Sequence, residues 1–358
     1  MQTNERTLAQ VKFENLCIEV QGDLARITRF TMQQVTAIKG LFSIVPNVTY
    51  SQFLSFTNIS SSLTVGLQAV QFAPIVTRAE KNAFIANARL TFPNFNIFER
   101  NASGASIPVQ DRDQMVVVYY IDPLASNLAV FGFDTSSNAI RNTSLEKARV
   151  TREPVATARI TLLQESGQQF GFLLYTPVFQ ALSGKHLGFA TGVFRAVDLY
   201  ETAAGASRLS QLSAYIRDAS DTSGADNTMY KDKLFGSTDT EAQAVTRAAL
   251  YTHKLSLPIA DRTWTLEFYS KSEFENNNVQ TIKIVALTVS IGLSLFIALV
   301  AVIFLWVLRC TYASRIAAEK FKVDVLQKSQ QELSEIANRL DKEEQMLSFI
   351  LNSLDFCM

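Results

Sequence analysis

The chain has 358 residues with 33 basic and 33 acidic side chains, so it carries no formal net charge; at roughly 150 residues per domain, that length allows two or three domains. With 47 % apolar and 18 % charged residues, it is too rich in core formers to be disordered and has no excess positive charge for a general nucleic-acid binder. Three scattered cysteines (Cys17, Cys310, Cys357) make no disulfide framework, and with only His186 and His253 besides, neither a zinc site nor a hydrolase triad is expected; no cofactor is implied.

In chain order, residues 1–45 read as one long stalk helix. Val20, Leu24, Ile27, Thr31, Gln34, Ile38, Leu41 and Val45 keep an alternating four–three spacing, and Pro46 stops it. This stripe suits packing on a domain core or on a dimer mate. The first twenty residues lack the apolar run of a cleavable signal, so an upstream membrane span is expected outside this sequence. Residues 51–90 read as two helical stretches broken near Pro74. Strand-like runs follow at 115–121, 128–133, 156–163, 170–179 and 188–197, with a helix-forming stretch between Asp134 and Pro154. This order predicts an α+β fold, an antiparallel sheet with helices on one face. A smaller unit follows, with an apolar run at 212–220, a polar loop at 221–229 and a β-hairpin over 254–270 turning at Ala260–Asp261–Arg262.

Lys283 and Arg309 bracket 25 uncharged residues, Ile284–Leu308. As a helix this segment is about 37 Å long, enough to cross a bilayer core of about 30 Å. Arg309, Arg315, Lys320 and Lys322 follow it, whereas only Lys271 and Lys283 closely precede it. The positive-inside rule places the C-terminal end in the cytoplasm and residues 1–282 outside the cell or in a lumen, at the plasma membrane. Four Asn-x-Ser/Thr sequons (Asn47, Asn58, Asn101, Asn142) lie on the outer side, about as many as composition alone gives. Beyond the span, Leu326, Leu333, Leu340, Leu347 and Leu354 recur every seven residues, with Val323, Gln330, Ala337, Glu344 and Leu351 at the partner positions. Leucine at d favours a parallel two-stranded coiled coil, softened here by Gln330 and Glu344. The expected organisation is therefore a stalk helix (1–45), a membrane-distal unit (46–198), a membrane-proximal unit (199–282), a transmembrane helix (283–309) and a cytoplasmic signalling helix (310–358).

From Phe42 to Phe194 the chain resembles the CHASE domain, an extracellular sensor domain of transmembrane histidine kinases and nucleotide cyclases that includes the plant cytokinin receptors. The resemblance rests on G-L-F (40–42), V-T-x-x-x-F (48–53), T-R-A-E-K-x-x-F (77–84) and Y-I-D-P-L-A-S-N (120–127). It continues with G-F-D (132–134), R-N-T-S-L-E-K-A-R (141–149), V-A-T-A-R-I-T-L-L (155–163) and Y-T-P-V-F (175–179). Lys81 departs from the arginine usual at its position, and the first membrane span of the family's plan does not precede the stalk. The resemblance implies two tandem PAS-like units on the stalk helix, a ligand pocket in the distal one, and a homodimer.

Candidate ligand-binding residues follow. The resemblance places Asp134 near an acid that contacts the adenine ring in cytokinin-type members; a carboxylate there can accept ligand N–H groups, or else cap a helix starting near Ser136. Ala156 and Ala158 share one strand face, Thr157 and Arg159 the other. Phe172, Leu174 and Thr176 oppose Gly171, Leu173 and Tyr175, and alternation leaves open which set lines the pocket. Arg141 and Arg149 are candidates for an anionic ligand or for surface ion pairs. Thr151 is expected to end a helix, Trp264 to lie in the proximal core, Cys17 to be buried or to bridge a dimer, and Cys310 to offer a palmitoylation position. With the resemblance, which implies a kinase or cyclase output beyond this sequence, these residues predict a non-enzymatic sensor that binds a small molecule or peptide. The alternative is an adhesion or structural single-pass protein.

Overall fold

The computed structural model describes residues 2–61, 66–162, 170–235 and 248–354. Residues 1–279 form one compact unit and residues 280–358 a second.

Helix α1 (Gln2–Ile44) runs the length of the first unit. Its buried stripe comprises Phe13, Cys17, Val20, Leu24, Thr28, Thr31, Val35, Ile38 and Phe42. Four of the eight expected positions (Val20, Leu24, Thr31, Ile38) lie in it, while Ile27, Gln34, Leu41 and Val45 flank it half-buried. The Thr28 and Thr31 hydroxyls cost the core little, because they donate to Leu24 O at 2.7 Å and Ile27 O at 2.8 Å. Cys17 is a buried free thiol whose pKa is raised by burial, which leaves it unreactive.

Helix α2 (Tyr50–Ser61) leads to β1 (Leu67–Thr77), the short helix α3 (Lys81–Ala88), and the small hairpin of β2 (Phe98–Arg100) and β3 (Ser106–Pro108). The first sheet is antiparallel. β4 (Gln114–Val116) and β5 (Tyr120–Asp122) pair with one edge of β1, and β9 (His186–Arg195) with the other. β8 (Phe170–Phe179) pairs with β9 and is bordered by β6 (Val155–Ala156) and β7 (Ile160–Thr161). Helix α1 packs on β8 and β9. The opposite face is covered by α4 (Ala139–Thr151) and the segment before it.

Three local expectations are corrected. Residues 67–77 form a strand, not part of a helix, because β1 is covered on both faces and so shows a buried run without alternation. Pro74 is tolerated there. Its carbonyl accepts from Val117 N at 3.1 Å, in the gap between β4 and β5 where the ladder is already interrupted. Residues 128–133 are not a strand: the first three end a 3₁₀ turn, Ala125–Val130, and Gly132 follows at φ 90°. A Cβ on Gly132 would lie 2.1 Å from Asn96 O, so the chain passes too close there for any other residue. The runs 115–121 and 156–162 are each split into two short strands, and residue 163 lies outside the described residues.

Helix α5 (Ala196–Leu209) connects to a second antiparallel sheet in the order β11 (Thr228–Lys231), β10 (Leu212–Asp218), β13 (Arg262–Ser270), β12 (Thr252–Ile259). The β12–β13 hairpin turns where the sequence places it, with Ala260 at φ 51°. Trp264 is buried and meets Phe172 of β8 at 5.2 Å between ring centroids, so the two sheets share core.

Helix α6 (Ser272–Leu354) begins in the first unit. In the second unit its residues 287–308 expose apolar side chains on every face, and its most apolar window has a mean hydropathy of 2.9. Among the described residues it is the one helix long and apolar enough to cross a membrane. Leu326, Leu333, Leu340 and Leu347 are all exposed in the single chain.

Candidate functional site: a polar seat beneath α4

The segment before α4 is built around Asp134. Its Oδ1 accepts from Val116 N at 3.0 Å, Ser136 N at 3.0 Å and Ser136 Oγ at 2.6 Å, and the side chain is fully buried. Oδ2 lies 3.5 Å from Arg112, which also pairs with Glu99. Burial raises the Asp134 pKa, against the pull of these donors and of Arg112. Asp134 thus caps the turn Thr135–Ser137 and ties it to β4. Asn138 then caps α4, accepting from Arg141 N at 3.1 Å.

Arg141, in the first turn of α4, is 6 % exposed and lies with its guanidinium 5.2 Å from the Phe133 ring centroid. Burial lowers its pKa. Its Nε has no hydrogen-bond partner, and no carboxylate pairs with it among the described residues.

Opposite Arg141, strand register places three polar side chains in one row across the sheet: Gln71 on β1, Thr191 on β9 and Tyr175 on β8. All are buried within mainly apolar strands. Among the described residues Thr191 Oγ1 has no hydrogen-bond partner, and the Tyr175 hydroxyl faces Thr135 without a hydrogen bond of ordinary geometry. Burial pushes the Tyr175 pKa up to about 12. A void of about 20 Å³ lies among Gln71, Val118, Val130, Phe133, Thr135, Arg141, Leu162, Leu173 and Val193. That is room for one water-sized group. A second, wider cavity of about 300 Å³ lies elsewhere, between the end of α1 and β1, and is lined by Phe42, Phe72, Phe84, Tyr119 and Tyr120 among others.

Of the expected candidates, Arg141 lines the polar seat and Asp134 holds the turn beside it, while the others lie elsewhere. Phe172 and Leu174 point to the α1 side, where Phe172 stacks on Phe194 at 4.7 Å; the alternate set, Leu173 and Tyr175, faces α4. Ala156 packs on the α1 side, and its N–H donates to Asp261 Oδ1 at 2.8 Å. Thr157 serves as a ladder partner: its N–H donates to Leu173 O at 2.9 Å, and its Oγ1 accepts from Leu173 N at 3.0 Å. Arg159 pairs with Asp226 at 2.8 Å and lies over Phe170. Arg149 is an exposed partner of Glu146, and Thr151 donates to Lys147 O at the end of α4. Gln71 and Thr191 are the residues that sequence reasoning missed, whereas Tyr175 belongs to the strand face it left open. The available signal was a polar side chain inside each of two mainly apolar runs.

Several known proteins are similar to this chain. The hybrid signal transduction histidine kinase A of Dictyostelium discoideum is 24 % identical over 151 residues, or 39 % of this chain; the match spans 7 % of that protein's length. Among solved structures, an extracellular ligand binding receptor from Desulfohalobium retbaense aligns with a TM-score of 0.44 and 13 % identity, over 71 % of this chain and 39 % of that one. The periplasmic sensory domain of a Campylobacter jejuni chemoreceptor aligns with a TM-score of 0.41 and 11 % identity, over 76 % of this chain and 96 % of that one. The CHASE domain family model matches residues 46–230, more than half of the sequence, and the chain belongs to the CHASE domain family.

Proposed function

We propose that this chain is the sensing part of a dimeric membrane receptor, and that a small molecule binds beneath α4 in the distal of two PAS-like units. The observation that carries this reading is the row Gln71–Thr191–Tyr175, with Gln71 lining a void and Thr191 Oγ1 without a partner among the described residues. Buried polar groups are almost always paired, so an unpaired one beside a cavity points to a ligand or an ordered water. The first sheet is covered on both faces, by α1 and by α4, which disfavours the adhesion alternative based on a flat solvated sheet.

Residues 1–279 lie outside the cell in this reading, the apolar part of α6 spans the bilayer, and the C-terminal helix is cytoplasmic. Dimerisation uses the outward face of the stalk helix α1, where Leu8, Val11 and Ile18 are exposed at heptad-type spacing, and the exposed leucine seam of α6. Ligand binding favours one arrangement of the stalk and signalling helices over another, since equal affinity for both shifts nothing.

The test is a thermal-shift screen of the full chain in detergent micelles against adenine derivatives, cyclic nucleotides, amino acids and short peptides. A ligand at 100 times its Kd adds about 2.7 kcal/mol, a rise of a few degrees in Tm. A hit lost when Val193→Phe fills the void supports the reading. A folded chain with no hit in any class argues for the adhesion alternative.

A further inference from the structure

Arg141 is the one feature of the polar seat that a trapped water leaves unexplained. A single water can give a buried polar group a hydrogen bond, but it does not neutralise a guanidinium taken out of solvent. Arg100 deepens the imbalance. Its charge lies near enough to Arg141 to disfavour the protonated form, and among the described residues its own guanidinium donates to the carbonyls of Gly104 and Ala129, at 3.1 and 2.9 Å. No carboxylate pairs with either arginine among the described residues, whereas Arg112, a neighbour in the same region, has both Glu99 and Asp134. The Phe133 ring supports one face of Arg141, which leaves the donor edge of its planar fork for an in-plane partner. The void that Arg141 lines borders this edge, and a carboxylate matches the fork with two parallel hydrogen bonds.

We propose that the seat opens to admit a small carboxylate, whose carboxyl group pairs with the Arg141 guanidinium beneath α4, beside Gln71 and Thr135. This rests on the sensor reading above.

The experiment measures Tm and affinity of the full chain in detergent at constant ionic strength. The probes are acetate, propionate, pyruvate, glycine and L-alanine, their neutral counterparts acetamide, propionamide, glycinamide and L-alaninamide, and inorganic phosphate. The expected result is that at least one carboxylate raises Tm by several degrees while its amide and phosphate do not. Arg141→Gln then weakens that carboxylate at least tenfold, and Arg141→Lys, which keeps the charge and loses the fork, also weakens it. Without ligand, Arg141→Met matches or exceeds the wild-type Tm, because it removes a buried charge that the fold itself does not pair. Stabilisation by an amide equal to that by its acid overturns the proposal, and this comparison needs only the wild-type chain. Failure of every carboxylate, undiminished binding in Arg141→Gln, or a lower Tm in Arg141→Met also overturns it. A neutral adenine derivative that binds, is lost in Val193→Phe and is kept in Arg141→Gln refutes the carboxylate while leaving the sensor reading standing. No binding in either panel removes both.

Discussion

The Phe13 ring of α1 meets the Phe274 ring of α6 edge to face, with 5.2 Å between centroids. Tyr251, just before β12, joins them, at 6.3 Å from Phe13 and 5.8 Å from Phe274. Both phenylalanines are buried. The start of the helix that carries the apolar segment is therefore fixed to the start of the first helix, far along the chain from the α4 seat. Replacing either phenylalanine by alanine is expected to cost about 3 kcal/mol. A double-mutant cycle should return a coupling of about 1 kcal/mol, measured by denaturant unfolding. Ligand affinity should stay within twofold of wild type, since neither ring touches the seat.

Asp134 predicts a different outcome. Asp134→Ala leaves the buried Val116 N–H and the Ser136 donors without their acceptor. The expected loss is about 2–3 kcal/mol, with Asp134→Asn milder because the amide oxygen still accepts. Denaturant midpoints without ligand check this. A lost ligand response in the alanine variant would by itself reflect the loosened turn rather than a broken ligand contact.

The Asp218–Arg262 pair gives a pH signature. Asp218 is 1 % exposed and accepts from Arg262 Nε at 2.5 Å. Its pKa is raised, with burial outweighing the pull of Arg262. A carboxyl whose folded pKa lies above its unfolded one gives stability that is present at low pH and lost as pH rises through the folded value. Arg262→Gln strands the buried carboxylate, so the variant should lose about 3 kcal/mol at pH 7. The deficit should shrink as pH falls and Asp218 takes up a proton. Unfolding at pH 7 and near pH 4.5 checks the direction.

The outward face of α1 predicts an association effect. Ile18 is 48 % exposed, between Val11 and Ala25 at heptad-type spacing. Ile18→Glu should lower the dimer fraction of the full chain in detergent, measured by light scattering, and leave its fold intact, since exposed substitutions cost little. An Ile18→Cys variant should cross-link to a second copy under mild oxidation.

The features legible in the sequence are the local ones. The apolar segment shows itself by length, the C-terminal leucines by period, the hairpin around Ala260 by its turn residues, and α4 by its polar start and the proline that follows. β1 was illegible because a strand covered on both faces has no alternation, and Pro74 looked like a helix breaker. The polar seat was illegible for a deeper reason. Gln71, Thr191 and Tyr175 are far apart in the chain and meet only through the β1–β9–β8 register. Alternation grouped Tyr175 with Leu173 but said nothing of which face meets α4. Arg141 was in view as a candidate, and its burial without a partner is a property of the fold alone.

The central claim is that the ligand sits beneath α4 and not in the wider aromatic cavity near the end of α1. Filling each cavity separately tests it most directly. Val193→Phe occupies the seat, and Leu187→Trp narrows the aromatic cavity. The measurement is the Tm rise given to the full chain by whichever panel compound stabilises the wild type. The account predicts that Val193→Phe abolishes that rise and Leu187→Trp preserves it. Loss in Leu187→Trp with retention in Val193→Phe would contradict it.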